Sequence, residues 1–277
     1  MTNTVKCTTT FLFVLFHHTT ELSKILEFIV FLDCKPFVFI FSNDDVVVFS
    51  SYFFTMFVVL EGCDGTGKTT QTEKLVEVFK SKGYNVKMMR FPDRETPIGQ
   101  TISSYLRGST RLSTNMQHLL FVCNRWEKID DLERGVSPDD KVLLFCDRYC
   151  YSGAAYSSAK GLPMDWCLGV EMGLPPADLI LQLDMDPGGC LDRASKRGDE
   201  KELHDSIAFQ ETIRKNYATL KEFVDEQMTN SPWHVVDASK RPADVTNTLV
   251  GIVEKQLLLR KEGAAQPPET DKQKIPQ

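Results

Sequence analysis

The stretch Gly62-Cys63-Asp64-Gly65-Thr66-Gly67-Lys68-Thr69-Thr70 constrains this chain more than any other. Its glycines let a turn curl its N–H groups inward around an anion. It directly follows the apolar run Phe57-Val58-Val59-Leu60, which reads as a short buried strand. Beyond it, Leu75, Val76 and Phe79 recur at helical spacing, and Gly83 stands where a helix stops. Strand, glycine-rich turn and helix together make Gly62-x-x-x-x-Gly67-Lys68-Thr69 a phosphate-binding loop. Its N–H groups and the helix N-terminus hold phosphate oxygens, Lys68 reaches the outer phosphates, and the Thr69 hydroxyl takes a place on magnesium. A nucleoside triphosphate is the implied ligand.

From Met56 onward, strands and helices alternate. Strands are expected at 85–91, 141–146, 178–185 and 233–238. Helices are expected at 97–107, 113–132, 187–197, 207–229 and 242–260, and helical segments over 151–172. Buried strands alternating with helices predict an α/β, three-layer fold with a five-stranded parallel sheet flanked by helices. In such sheets ligands sit beyond the carboxyl ends of the strands. That rule singles out residues 62–69, 92–94, 147–152, those from 186 onward, and 237–239.

Composition excludes several other classes. With 32 basic against 38 acidic residues, the chain carries a net charge of −6, which argues against a nucleic-acid-binding surface as its main business. The 8 cysteines show no C-x-x-C pair, so neither a zinc site nor a redox motif is suggested, and a reduced, cytoplasmic protein is expected. Within the phosphate loop, Cys63 is the cysteine whose oxidation would matter. Residues 1–55 differ from the rest: they hold 11 of the 18 phenylalanines and no glycine, alanine or arginine. Lacking arginine, they do not read as a mitochondrial presequence. A membrane helix needs about 18 uninterrupted apolar residues, and Glu27, Asp33, Lys35, Asp44 and Asp45 break the run. The expectation is an extension outside the fold, with Met56 as the natural start of a domain spanning 56–260. Residues 261–277, rich in proline and charge, read as a disordered tail.

Past the second strand stands Phe91-Pro92-Asp93-Arg94, and past the third Asp147-Arg148-Tyr149. Two arginines converging on a phosphate loop suggest a second phosphate held by guanidinium forks, and the carboxylate suggests magnesium. A plain salt bridge between Asp147 and a neighbouring arginine is the competing reading. On the helix 118–128, Phe121 and Arg125 share a face with Asn124 beside them, a set able to stack on a base and bond its edge. Taken alone, a core phenylalanine and a solvated arginine explain the same pattern.

The segments FVVLEGCDGTGKTTQ, RFPDR, LLFVCNRWE, DRYCYSGAAY, GLPPADLILQLD and AFQE occur in the order and spacing of thymidylate kinases, from about residue 56 to 260. The chain resembles that family, whose fold is that of the P-loop nucleoside monophosphate kinases with a short mobile lid. The resemblance implies transfer of the γ-phosphoryl of ATP to dTMP, giving dTDP, with magnesium. By matching position, Gly62 to Thr70, with Arg193 and Arg197, would bind ATP. Asp64 would contact the sugar 3′-hydroxyl, and Arg94 and Arg148 would hold the dTMP phosphate. Phe121 would stack on thymine and Arg125 would read its edge. Tyr156 would select deoxyribose, Gln210 would line the base pocket, and Ser152 and Gly153 would border the substrate. Thr69 and Asp147 would hold magnesium, with Lys68, Asp147, Arg148 and Arg197 catalytic. The resemblance also implies a homodimer, with neither a nucleic-acid nor a membrane partner. A kinase of a deoxynucleoside or another pyrimidine nucleotide stays open, as does a degenerate nucleotide-binding protein.

In one respect the sequence departs from the family. The position for a loop arginine is Gly65, and the lid arginine motif appears as Glu202-Leu203-His204-Asp205. Charge on the transferring phosphoryl still needs a partner. Arg193, Lys196 and Arg197 are the candidates. Arg197, before Gly198 where a helix would yield to a hinge, is the first choice.

Overall fold

A computed structural model describes residues 14–17, 26–32, 35–42, 45–50, 56–135, 142–197, 206–227 and 231–265. The chain divides into two units, Met1–Phe53 and Phe54–Gln277. The first contains β1 (Val14–His17), β2 (Leu26–Leu32), β3 (Lys35–Ser42) and β4 (Asp45–Ser50), which pair antiparallel in sequence order.

The second unit is the α/β body. In chain order it holds β5 (Met56–Gly62), α1 (Lys68–Ser81), β6 (Asn85–Arg90), α2 (Pro97–Leu106), α3 (Thr114–Trp126), α4 (Ile129–Gly135) and β7 (Val142–Asp147). It continues with α5 (Cys150–Ala159), α6 (Met164–Gly169), β8 (Leu179–Asp184), α7 (Pro187–Arg197), α8 (Ile207–Gln227), β9 (Trp233–Asp237) and α9 (Pro242–Ala265). The sheet is parallel throughout, in the order β6-β7-β5-β8-β9.

Strand residues alternate between two cores, as the period of 2 demands. Phe57, Val59, Leu144, Cys146 and Ile180 face α5, α6 and α8, meeting Ala154, Cys167 and Tyr217. Val58, Leu60, Leu143, Phe145 and Leu181 face α1 and α9, meeting Leu75, Phe79 and Leu249. Burial on both faces explains why these strands read as unbroken apolar runs.

The helix expected at 113–132 is split, and the helical segments expected over 151–172 are two, α5 and α6. The segment 113–132 breaks after Trp126, where the Lys128 N–H returns to the Arg125 carbonyl at 3.0 Å and tightens the turn. The segment 151–172 breaks where Gly161 takes φ 96° and Pro163 follows. The last helix runs to Ala265, past the expected end at 260, and residues 266–277 of the expected tail lie outside the described residues.

Register positions the site. Asp147 pairs with Leu60 on one side and Arg90 on the other, so β5, β7 and β6 end at one level. The loops beyond them open onto the same edge of the sheet.

Candidate active site

The phosphate loop is a backbone cradle. Gly62 (φ 136°) and Gly65 (φ 81°) lie in conformations that side chains resist. A Cβ on them would stand 2.2 Å from the Leu183 carbonyl oxygen and 2.4 Å from that of Cys190. Gly67 (φ 92°) turns the chain into α1 at its N-cap. Thr66 Oγ1 donates to the Cys63 carbonyl at 2.9 Å. Lys68 is buried, and its Nζ donates to that same oxygen at 2.6 Å. Burial, then the nearby Arg148 cation, lowers its pKa to about 8. Thr70 is exposed on the first turn of α1. Burial pushes the Cys63 thiol up to about 12, which disfavours its thiolate.

Asp147 is buried at the end of β7. Thr69 Oγ1 donates to its Oδ2 at 2.5 Å, and Arg90 Nε donates to the same oxygen at 3.1 Å. Its sequence neighbour Arg148 turns elsewhere, with a backbone φ of 69°, which is rare for a residue carrying a side chain. The Arg148 guanidinium is ion-paired with Asp64 of the phosphate loop, and its Nη1 lies 3.3 Å from the Gly62 carbonyl and 3.3 Å from Ser152 Oγ. The Tyr156 hydroxyl donates to the other Asp64 oxygen at 2.7 Å, and the Arg148 guanidinium carbon lies 5.4 Å from the Tyr156 ring centre. Asp64, Arg148 and Tyr156 therefore form one cluster, although they stand on three different segments.

Arg94 follows β6 on a loop fixed from outside. Asn124, fully buried on α3, accepts from the Asp93 N–H at 2.8 Å and donates to the Asp93 carbonyl at 3.0 Å and to Thr96 Oγ1 at 2.8 Å. Thr96 in turn caps α2, accepting from the Gly99 N–H at 3.0 Å. Sequence reasoning pointed the Asn124 amide at a base edge; here its bonds are spent on the loop bearing Arg94. The cleft so formed measures about 1030 Å³ and is lined by Thr69, Arg90, Arg94, Asp147 and Arg148, among others.

Phe121, Arg125 and Gln210 lie outside that lining. Phe121 packs against the small cluster of Ile102, Tyr105 and Leu106. Arg125 is buried, with Nε donating to Glu171 Oε2 at 2.9 Å and Nη2 to Oε1. Gly153 gives this pair its seat on α5, since a Cβ there would stand 2.9 Å from Arg125 Nη2 and 3.1 Å from Glu171 Oε1. Gln210 is buried near the start of α8, and its carbonyl lies 3.7 Å from the Cys63 sulfur.

Sequence reasoning missed Glu61 altogether. It is fully buried just before the phosphate loop. Its Oε1 accepts from the N–H groups of Tyr149 at 2.9 Å and Ser152 at 3.1 Å. Its Oε2 accepts from the Ser152 hydroxyl and, at 3.0 Å, from the Tyr217 hydroxyl. Burial raises its pKa, against the pull of Ser152 and the Arg148 cation. One acid inside an apolar run gives no sign of this.

Of the lid candidates, Arg193 is committed to backbone: Nη1 donates to the Ala238 carbonyl at 2.9 Å and Nη2 reaches the Ser239 carbonyl at 3.4 Å. The side chains of Lys196 and Arg197, and residues 198–205 of the expected lid, lie outside the described residues.

The family model described as thymidylate kinase matches residues 60–249. The chain is 37% identical over 206 residues to a thymidylate kinase of Danio rerio, covering 74% of this chain and 92% of that one. It is 39% identical over 186 residues to one of Homo sapiens, covering 66% and 82%. A solved thymidylate kinase from Candida albicans superposes with a TM-score of 0.61 at 31% identity, over 73% of this chain and 93% of the other. With the phosphate-loop fold and an arginine-lined cleft beside it, the chain belongs to the thymidylate kinase family.

Proposed function

We propose that the chain transfers the γ-phosphoryl group of ATP to dTMP, giving dTDP and ADP. The observation that carries this reading is that two arginines line one cleft beside the phosphate loop. Arg148 is paired to Asp64 within the phosphate loop, and Arg94 lines the same cleft as Arg148. An acceptor that already bears a phosphate brings an anion into the cleft that both arginines line; a nucleoside without one does not.

In this reading Lys68 and the loop amides hold the ATP phosphates. Arg94 and Arg148 hold the dTMP phosphate in line with the γ-phosphoryl group. Phosphoryl transfer is mostly positioning and charge neutralisation, so these residues supply what the reaction needs. Asp64 and Tyr156 bound the deoxyribose, Phe121 stacks on thymine, and Arg125 bonds its edge. Glu171 already occupies Nε and Nη2 of Arg125, which leaves Nη1 for that role. Ser152, Gly153 and Gln210 line the substrate site, and Arg197 is the lid cation at the transferring phosphoryl.

The chemistry of the Thr69–Asp147 pair fits magnesium. A hydroxyl and a carboxylate oxygen 2.5 Å apart beside a phosphate loop are the hard oxygen donors this ion takes. Among the described residues no cluster of three or more His, Cys, Asp or Glu could hold a metal alone. Magnesium bound mainly by phosphates needs none. When bound it would neutralise phosphate charge during transfer.

Two coarser features complete the reading. Met116, Leu119 and Trp126 stand exposed along α3, and Met172 is exposed next to Gly173, which lies against the Trp126 ring. A second copy of the chain fits this apolar stripe, giving a homodimer. A cytoplasmic location is supported by the free cysteines 63, 123, 146, 150, 167 and 190. No described helix is long and apolar enough to cross a membrane.

A coupled assay with ATP and a panel of acceptors tests the reading. Turnover of dTMP far above thymidine and other pyrimidine monophosphates is expected. Phosphorylation of thymidine with none of dTMP would overturn it.

A further inference from the structure

We propose that Glu61 is a positioning residue that fixes Arg148, and so couples the phosphate loop to the site of the acceptor phosphate. The inference rests on the reading of Arg148 given above.

The argument begins with a helix that lacks a cap of its own. The N-cap residue of α5 is Tyr149, and it makes no side-chain capping bond. The first N–H groups of a helix need acceptors, and a buried N–H left without one costs free energy. Glu61 supplies the acceptor from another strand, 88 residues earlier for Tyr149 and 91 for Ser152. Both N–H groups meet one carboxylate oxygen. A negative charge is also favoured at a helix N-terminus.

Arg148 is the residue these bonds enclose. Its N–H donates to the Leu60 carbonyl at 2.9 Å, one residue before Glu61. The next N–H, that of Tyr149, goes to Glu61 itself. The backbone of Arg148 is thus fastened on both sides of its positive φ, a conformation that persists only when its surroundings impose it.

A second route reaches the side chain. The Ser152 hydroxyl donates to Glu61 Oε2, which turns its lone pairs toward Arg148 Nη1 at 3.3 Å. Tyr217 holds the same carboxylate oxygen from α8 at 3.0 Å, so Glu61 cannot swing away. Glu61 touches neither reacting group. It sets the angle at which the Arg148 guanidinium leaves the sheet, and because Gly62 follows it, loop and arginine share one anchor.

The test uses the full chain. Glu61→Gln keeps the volume and one acceptor oxygen but loses the charge and the second acceptor. We expect KM for dTMP to rise about tenfold or more, with KM for ATP changed by less than about threefold. In an Arg148→Lys background, which keeps a cation, the same substitution is expected to change KM for dTMP by less than about twofold, because residues acting through one another are not additive. Tyr217→Phe, which removes the hydroxyl that holds Glu61 Oε2 from α8, should shift KM for dTMP in the same direction and serves if Glu61→Gln fails to fold. Amide exchange over residues 148–153 should quicken about tenfold or more in Glu61→Gln while peptides of β8 and β9 stay protected.

An unchanged KM for dTMP in the folded variants overturns the proposal, as does an equal penalty in both Arg148 backgrounds. If the wild-type chain fails to turn over dTMP, the reading of the reaction falls, and the exchange result still decides whether Glu61 holds Arg148.

Discussion

Arg94 stands exposed at the rim of the cleft, on a loop that Asn124 pins at Asp93 and Thr96. Arg94→Ala should raise KM for dTMP far more than KM for ATP, since a hydrogen bond to a charged group is worth about 1.5–3 kcal/mol. Steady-state kinetics with each substrate varied in turn will read it. Gly153→Ala is a second residue-scale test. The added Cβ would press on Arg125 Nη2 and Glu171 Oε1, and overpacking of this kind costs about 1–3 kcal/mol, read as a lower melting temperature. At this scale the sequence was legible where a residue acts through its own type and its neighbours. The loop glycines, Lys68 and Thr69 stood out by their spacing, and Asp147 by its place past the third strand. Glu61 did not, because its partners are 88, 91 and 156 residues away. Asn124 was legible as polar but not in its direction, which only the fold decides.

Among the elements, α3 is joined to α5 and α6 by a buried histidine. His118 Nε2 donates to the Cys167 carbonyl at 3.1 Å, which leaves Nδ1 to accept from the Ser157 hydroxyl at 2.8 Å in the neutral ring. Burial lowers its pKa. The folded state thus binds a proton less readily than the unfolded chain, whose histidine titrates near about 6.5. The stability held by neutral His118 is fully present above that value and lost as pH falls toward the depressed native value. Melting temperature measured from pH 8 to 5 should decline, and His118→Gln should remove part of that slope. Element type was legible wherever an apolar run or helical spacing was long. The split at Lys128 was not, since the polar residues there fit either a helix or a turn. The lid belongs to this scale as well. Arg193 is tied to the turn after β9, so Arg197→Ala is expected to lower kcat sharply with little change in either KM.

For the whole molecule, the sheet of β5 to β9 and its two cores lie within residues 56–265. A chain cut to residues 56–277 is expected to fold and to match the full chain in kcat and melting temperature. Loss of folding would show that the first unit contributes to the body. Leu119→Glu on the exposed stripe of α3 should convert a dimer to a monomer in light scattering. The α/β architecture was legible because strands buried on both faces cannot hide as anything else. The strands of the first unit were not, because continuous phenylalanine-rich apolar runs show no period of 2 to count. One further consequence lies in the backing of the phosphate loop. A Cβ on Gly65, which lies at φ 81°, would stand 2.4 Å from the Cys190 carbonyl oxygen in α7, so a side chain there is both strained and crowded. A side chain at position 65 requires α7 to retreat, so Gly65→Arg is expected to raise KM for ATP rather than quicken the reaction.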